Sequence, residues 1–254
     1  MYIPLRVYSP FSVGFGAVQI SDLTDYCTAH GVPAAGVADE SSLGGAMTIS
    51  KGLAAKGVQP LIGGTFRVAF GDTEGELVFY ATSNDGYGAL RRIANRWNTA
   101  KAPQAPQVDA LTEIMGAGIG DVIALTGGKG GLADKLASAG KDLDGALARL
   151  AEIFGDRLYV EIQRPAGTAL ASEPVLRTAA DGLGLPLVAT QSAHYATADM
   201  TGAHDAFLCV ADKTYLAEAA RRHAESGYYL VEPAEMVERF ADLPEAIANT
   251  VQIA

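Results

Sequence analysis

Short apolar runs of strand length alternate with segments of helical spacing along most of this chain, and six or seven such β-then-α units can be counted in its 254 residues. Repeated alternation of this kind restricts the fold to a mostly parallel sheet covered by helices, either a β/α barrel or a doubly wound sheet. Parallel strands need a long crossover between them, and a helix supplies it. The expectation is an α/β protein forming one large domain.

The opening run sets Ile3, Leu5 and Val7 at alternate positions, with Pro4, Arg6 and Tyr8 on the opposite face, which predicts a strand. Ser9, Pro10, Ser12, Gly14 and Gly16 then predict a loop. Such a strand-to-loop passage is where α/β folds place chemistry, so residues 2–16 are expected to line the mouth of a site. Ser21 is expected to cap a helix bearing Leu23, Tyr26 and Cys27 and closed by Gly31. A strand over residues 34–38, a helix over roughly 43–56 and a strand at 61–63 follow. Residues 66–70 and 77–80, around Gly71, Asp72 and Gly75, predict an antiparallel excursion. Asn84 and Asp85 can cap a helix to Trp97, and residues 99–109 form a linker-like stretch. Further strands are expected at 121–125, 158–163 and, last, 187–190. Helices are expected near 142–154, from Ser172 to Gly182 or Gly184, and over about 200–210, 214–224, 234–241 and 245–253.

Charge and composition remove several classes of function. A formal net charge of −10 disfavours unaided binding to phosphate backbones, so no direct nucleic-acid contact is expected from this segment. No apolar run reaches the ~18 residues of a membrane span, and no basic segment followed by an apolar one opens the chain. Cys27 and Cys209 are too few for a disulfide framework, which favours a reducing cytoplasm.

Several groups of residues could carry chemistry. Thr126-Gly-Gly-Lys-Gly-Gly131 falls where backbone amides can cradle phosphate, but its spacing is too short for a P-loop, which favours a tight βα-turn. Arg91, Arg92, Arg96 and Lys101 beside Trp97, and Arg221-Arg222-His223, are expected to be solvated faces. His30 is expected at a helix end. His204 and Asp205 are expected to pack or hydrogen-bond as a pair, with metal ligation the alternative. Cys27 is expected to be a buried helix residue, and no nucleophile elbow is present. Glu161, on a strand, is equally compatible with a structural acceptor and a catalytic base.

Pro4-Leu-Arg-Val-Tyr-Ser-Pro-Phe-Ser12 resembles the H-L-H-x-H-S-x-Y-S opening of the PHP (polymerase and histidinol phosphatase) domain, particularly the one at the amino terminus of the bacterial DNA polymerase III alpha subunit. The likeness continues in order through His30–Asp39, Gly57–Gly63, Asn84–Leu90, Thr126-Gly-Gly, Val188–Tyr195 and Leu243–Ala254. The resemblance implies a distorted seven-stranded, TIM-like β/α barrel whose cleft, in intact members, holds up to three metal ions for phosphoester hydrolysis. Residue by residue, that ligand set is nearly absent. Arg6 and Tyr8 stand at the H-x-H pair, Phe15 at an acidic ligand, Glu40 at a His and Thr65 at a Glu. Glu76 and Pro165 stand at two further His positions and Ser192 at an Asp, so only His194 remains as a family-type ligand in a degenerate cleft that also includes Asp39 of the T-D segment.

Arg6 would set a permanent positive charge where a dication belongs, and Glu40 and Glu76 could pair with it. A barrel without metal or other cofactor, hydrolytically inert, is therefore expected. The resemblance further implies a single PHP domain over residues 1–254 at the start of a longer polymerase chain. It would support that chain and dock a separate proofreading exonuclease subunit. The alternatives are a phosphoesterase with a site reduced to Asp39, Glu40, Glu76, Glu161 and His194, or a stand-alone interaction protein.

Overall fold

The computed structural model describes residues 1–99 and 104–254. Part of the linker-like stretch, Lys101 included, lies outside the described residues. In chain order the elements are β1 (Arg6–Val7), α1 (Ile20–His30), β2 (Ala34–Glu40), α2 (Ala46–Ala54), β3 (Gln59–Phe70), β4 (Thr73–Ala81) and α3 (Asn84–Thr99). There follow α4 (Leu111–Met115), β5 (Val122–Leu125), α5 (Leu132–Ser138), α6 (Leu143–Phe154), β6 (Leu158–Gln163), α7 (Glu173–Leu183) and β7 (Leu187–Thr190). The last are β8 (Ser192–Ala193), α8 (Thr201–Asp212), α9 (Pro233–Arg239) and α10 (Pro244–Ile253).

The strands hydrogen-bond in the order β7-β6-β5-β4-β3-β2-β1-β8. Gln191 alone separates β7 from β8, yet β7 pairs with β6 while β8 pairs with β1, Arg6 opposite Ser192 and Val7 opposite Ala193. One broken strand therefore touches both ends of the sheet and closes it into a ring. Counted as one, β7 and β8 reduce the eight segments to the seven strands of a distorted TIM-like barrel. The β3–β4 and β4–β5 pairings are antiparallel and the others are parallel, so β4 is the reversed strand.

Period-2 alternation divides the core. On β4, Leu77 and Phe79 join the cluster beneath α3, α5 and α6, whereas Val78 and Tyr80 join a second cluster with Leu125, Tyr159 and Val188. Glu76 shares the face of Val78 and Tyr80, and Glu161 shares the face of Tyr159, so both acids are directed into the barrel. Ile3, Leu5 and Val7 are buried as expected, but so are Arg6 and Tyr8 on the opposite face. A strand covered on both sides has no solvent face, and the polar residues in it must find partners inside.

Several boundaries differ from the sequence reading. The expected strands at 61–63 and 66–70 are one twelve-residue strand, β3, because it pairs continuously with β2 and then β4. Helix α1 starts one residue before Ser21, with Gln19 at the cap, and α2 starts at Ala46 rather than near residue 43. Ser83, not Asn84, caps α3, its hydroxyl accepting from the Asp85 and Gly86 amides at 3.1 and 3.2 Å. Ser172 precedes α7, but its hydroxyl donates to Asp134 instead of capping. The strand expected to be last is followed by β8, and the short helix α4 was not anticipated. The expected helix over 214–224 does not form, because Arg221 and Arg222 are drawn off to Asp205 and Asp212 on α8.

Candidate functional site

The mouth of the barrel lies at the carboxyl ends of the parallel strands. The loops after β1, β5 and β8 meet there, together with the start of the reversed strand β4, around a cavity of about 500 Å³. Arg6, Tyr8, Phe15, Glu76, Lys129, Ser192, His194 and Tyr228 are on its walls.

Arg6 is the centre of this end of the barrel. Its guanidinium donates to Glu161 at 3.2 Å, to Glu76 at 3.3 Å, to the Tyr8 hydroxyl and to the Gly127 carbonyl. Burial opposes its charge, but Glu161, Tyr8 and Glu76 outweigh that cost and hold its pKa above the ordinary value. The Nε–H remains buried without a partner among the described residues. The Glu161 carboxylate also accepts from the Gly127 amide at 3.0 Å, from Gln163 at 2.9 Å and from the Thr190 hydroxyl. Burial raises the pKa of Glu76 despite Arg6 beside it. Tyr8 reaches Thr65 at 3.2 Å, and Thr65 in turn donates to the Ala38 carbonyl at 2.8 Å. Gln163 donates to Ser192 at 3.0 Å. One cation thus joins β1, β4, β6 and the loop after β5.

Asp39 has a separate task. Its carboxylate accepts from the Ser9 amide at 2.8 Å and from the hydroxyls of Ser9 and Ser12, each at 2.7 Å, fixing the loop after β1. Burial still outweighs those bonds and raises its pKa. His194 sits in an aromatic nest, 4.4 Å from Phe15 and 4.6 Å from Tyr228 between ring centroids, with Tyr8 at 5.4 Å. Burial, then the neighbouring His204, Arg6, Lys129 and Arg222, push its pKa well below the usual histidine value.

The structure gathers Arg6, Tyr8, Phe15, Glu76, Ser192 and His194 on one cavity, with Thr65 just behind Tyr8. It does not gather all the expected residues. Glu40 makes no bond to Arg6, and Glu161 is the second acid paired with it. Pro165 lies outside the cavity lining, in a turn beyond β6. His204 and Asp205 are not bonded to each other: His204 Nε2 meets the Phe15 carbonyl oxygen at 2.8 Å, while Asp205 takes Arg221. Arg221 is therefore a nearly buried ion-pair partner rather than part of a solvated face. Arg92 likewise turns back to the Met115 carbonyl.

The glycine-rich segment behaves as a tight turn. Gly127 adopts φ of 97°, and a Cβ there would come within 2.1 Å of the Glu76 carbonyl oxygen. The amides of Gly127, Lys129 and Gly130 already have acceptors, in Glu161 at 3.0 Å, Gln163 at 3.0 Å and Asp134 at 2.8 Å. Gln163, Thr190 and Tyr228 were not anticipated. Alternation from Glu161 places Gln163 inside, but nothing local in sequence marks Tyr228.

A family model for the PHP domain matches residues 4–165. The chain belongs to the PHP domain family. This PHP chain is 34% identical over 266 residues to the DNA polymerase III subunit alpha of Caulobacter vibrioides, covering all of the chain and 23% of that protein. It is 30% identical over 273 residues to an error-prone DNA polymerase of Symbiobacterium thermophilum, covering 25% of that protein. The chain spans about a quarter of the length of these relatives. A solved structure from Bifidobacterium adolescentis, described as a candidate metal-dependent phosphoesterase, shares the fold with a TM-score of 0.54 at 11% identity. That match covers 93% of this chain and 96% of the other.

The PHP fold raises the matter of a metal. Among the described residues no three His, Cys, Asp or Glu side chains converge as a metal-binding group. The donor chemistry agrees: the guanidinium of Arg6 pairs with Glu76 on the cavity wall and with the fully buried Glu161, and the hydroxyls of Ser9 and Ser12 occupy Asp39. The side chains present do not fit a metal ion. Among the described residues no helix is long and apolar enough to cross a membrane.

Proposed function

We propose that this chain is a non-catalytic PHP domain of a replicative DNA polymerase III alpha subunit, a single domain over residues 1–254 at the start of a longer cytoplasmic polymerase chain. It supports that chain and offers a docking surface to a separate proofreading exonuclease subunit. The observation that carries this reading is Arg6, bonded at once to Glu76 and Glu161 inside the barrel. A fixed cation there supplies the cross-link between strands that a bound dication would otherwise make, and it repels one. Similarity to DNA polymerase III alpha chains along the whole of this sequence supports the polymerase assignment.

The deciding experiment is the metal content of the purified protein by mass spectrometry after exposure to zinc and manganese, with a parallel phosphoesterase assay. Substantially less than one ion per chain and no hydrolysis are expected. One or more tightly held ions, with turnover lost on chelation, would instead establish a phosphoesterase built on Asp39, Glu40, Glu76, Glu161 and His194.

A further inference from the structure

Residues 214–226, between α8 and the β-bridge residue Tyr229, cross the mouth of the barrel without forming a helix. The run Leu216-Ala-Glu-Ala-Ala-Arg-Arg-His-Ala-Glu225 is made of strong helix formers, so its irregular path reflects forces stronger than local propensity. Those forces are ionic. Arg221 grips Asp205 through two bonds of 2.8 and 2.6 Å, and the Ala224 amide donates to the same carboxylate at 2.8 Å. Arg222 spans from Asp212, at 2.8 and 3.1 Å, to the Gly14 carbonyl at 2.9 Å. Glu225 meets Lys129 at 2.5 Å, and its carbonyl accepts from Tyr195 at 2.8 Å.

Apolar anchorage is missing. None of residues 214–226 is buried, and Tyr215 and Leu216 are 76% and 60% exposed. The Arg221 Nε–H is buried without an acceptor among the described residues, so release of the segment would hydrate a group that is unsatisfied when it is closed. Both ends have left-handed backbone, Lys213 at φ of 54° and Gly227 at φ of 89°. A Cβ on Gly227 would stand 2.5 Å from the Ala166 backbone, so that pivot is confined to glycine. Arg222, His223, Ala224 and Glu225 form one wall of the cavity that also holds Arg6 and His194.

We propose that residues 214–226 are a lid on the barrel mouth, latched by ion pairs and turning about Lys213 and Gly227, whose opening admits solutes to the cavity. Segments held by few apolar contacts are drawn from the low-stability end of a structure and open locally. Pairs such as Lys129–Glu225, exposed on both sides, weaken with salt. The lid is independent of whether the cavity is inert, and its test needs no turnover.

Hydrogen exchange of the protein, followed by mass spectrometry at about 0.05 M and about 0.5 M sodium chloride, reads the latch directly. Diethyl pyrocarbonate labelling of His194 under the same conditions reads access to the cavity. About tenfold faster exchange in 214–226 at high salt, with β6 unchanged and His194 labelled faster in step, is expected. Asp205→Asn should reproduce both effects at low salt. Equal lid exchange at both salt concentrations would overturn the latch, as would acceleration of β6 together with the lid. A lid that opens while His194 labelling stays constant would overturn the gating role.

Discussion

Arg6 on β1 and Glu161 on β6 meet at 3.2 Å across the interior of the barrel, with side chains 2% and 0% exposed. Neither position is a neighbour of the other in the sheet, so their pairing spans the barrel rather than following its hydrogen-bond ladder. Ions this deeply enclosed are costly to separate, because the survivor keeps its desolvation penalty and loses its partner.

Arg6→Ala should therefore destabilise the protein by about 3–5 kcal/mol in urea unfolding, through the stranded Glu161 carboxylate. Arg6→Met combined with Glu161→Gln should lose clearly less than the sum of the single changes. Strict additivity would mean that the pair does not hold the barrel mouth together.

Asp39 gives a second case. Asp39→Ala removes the acceptor of the buried Ser9 amide and of two hydroxyls, and should cost about 2–3 kcal/mol. Exchange of the amides in the loop after β1 should rise before that of β2. Unaltered protection of that loop would show that something other than Asp39 fixes it.

Gly127→Ala tests the turn reading of the glycine-rich segment. A Cβ would meet the Glu76 carbonyl oxygen at 2.1 Å in a left-handed conformation, so the loss should reach at least about 2 kcal/mol. A neutral Gly127→Ala in thermal unfolding would contradict the local geometry.

The pH dependence follows from His194. Its folded-state pKa is depressed by burial, so the unfolded chain takes up a proton that the folded chain refuses. That contribution to stability is present above about pH 6.5 and is lost as pH falls, at up to about 1.4 kcal/mol per pH unit. Glu76 and Asp39, with raised values, act in the opposite sense, each binding its proton more readily when folded. The difference between wild type and His194→Gln isolates the histidine. The variant should show the shallower decline between about pH 7 and pH 5.5, and parallel curves would remove His194 as the cause.

Much of the barrel was legible because its signals are local. Alternation at Ile3, Leu5 and Val7, and glycine closing α1 at Gly31, depend on neighbours in sequence. The likeness to the PHP opening also picks out Arg6, Tyr8 and Phe15, which share one cavity. What the sequence does not show depends on distant partners. Glu40 and Glu76 are the acids that the sequence offers to Arg6, and only the ring geometry puts Glu161 in the place of Glu40. The segment around Arg221 has helical composition, but Asp205, sixteen positions away, overrides it. Arg164 gave no local signal at all, yet it clamps Glu173 on α7 and Asp242 before α10.

The seam between β1 and β8 has a consequence for how the protein is made. Residues 6 and 7 pair with residues 192 and 193, so one edge of the first strand has no partner until nearly all of the barrel has been synthesised. At about 5–20 residues per second, the 186 residues that follow Arg6 up to and including Ser192 take roughly 10–40 s to appear. For that interval the nascent chain presents an open strand edge, the feature through which sheets pair with other chains. The broken strand at Gln191 is then the last stave of the barrel, and slow translation before it would prolong the period in which the growing chain is vulnerable to aggregation.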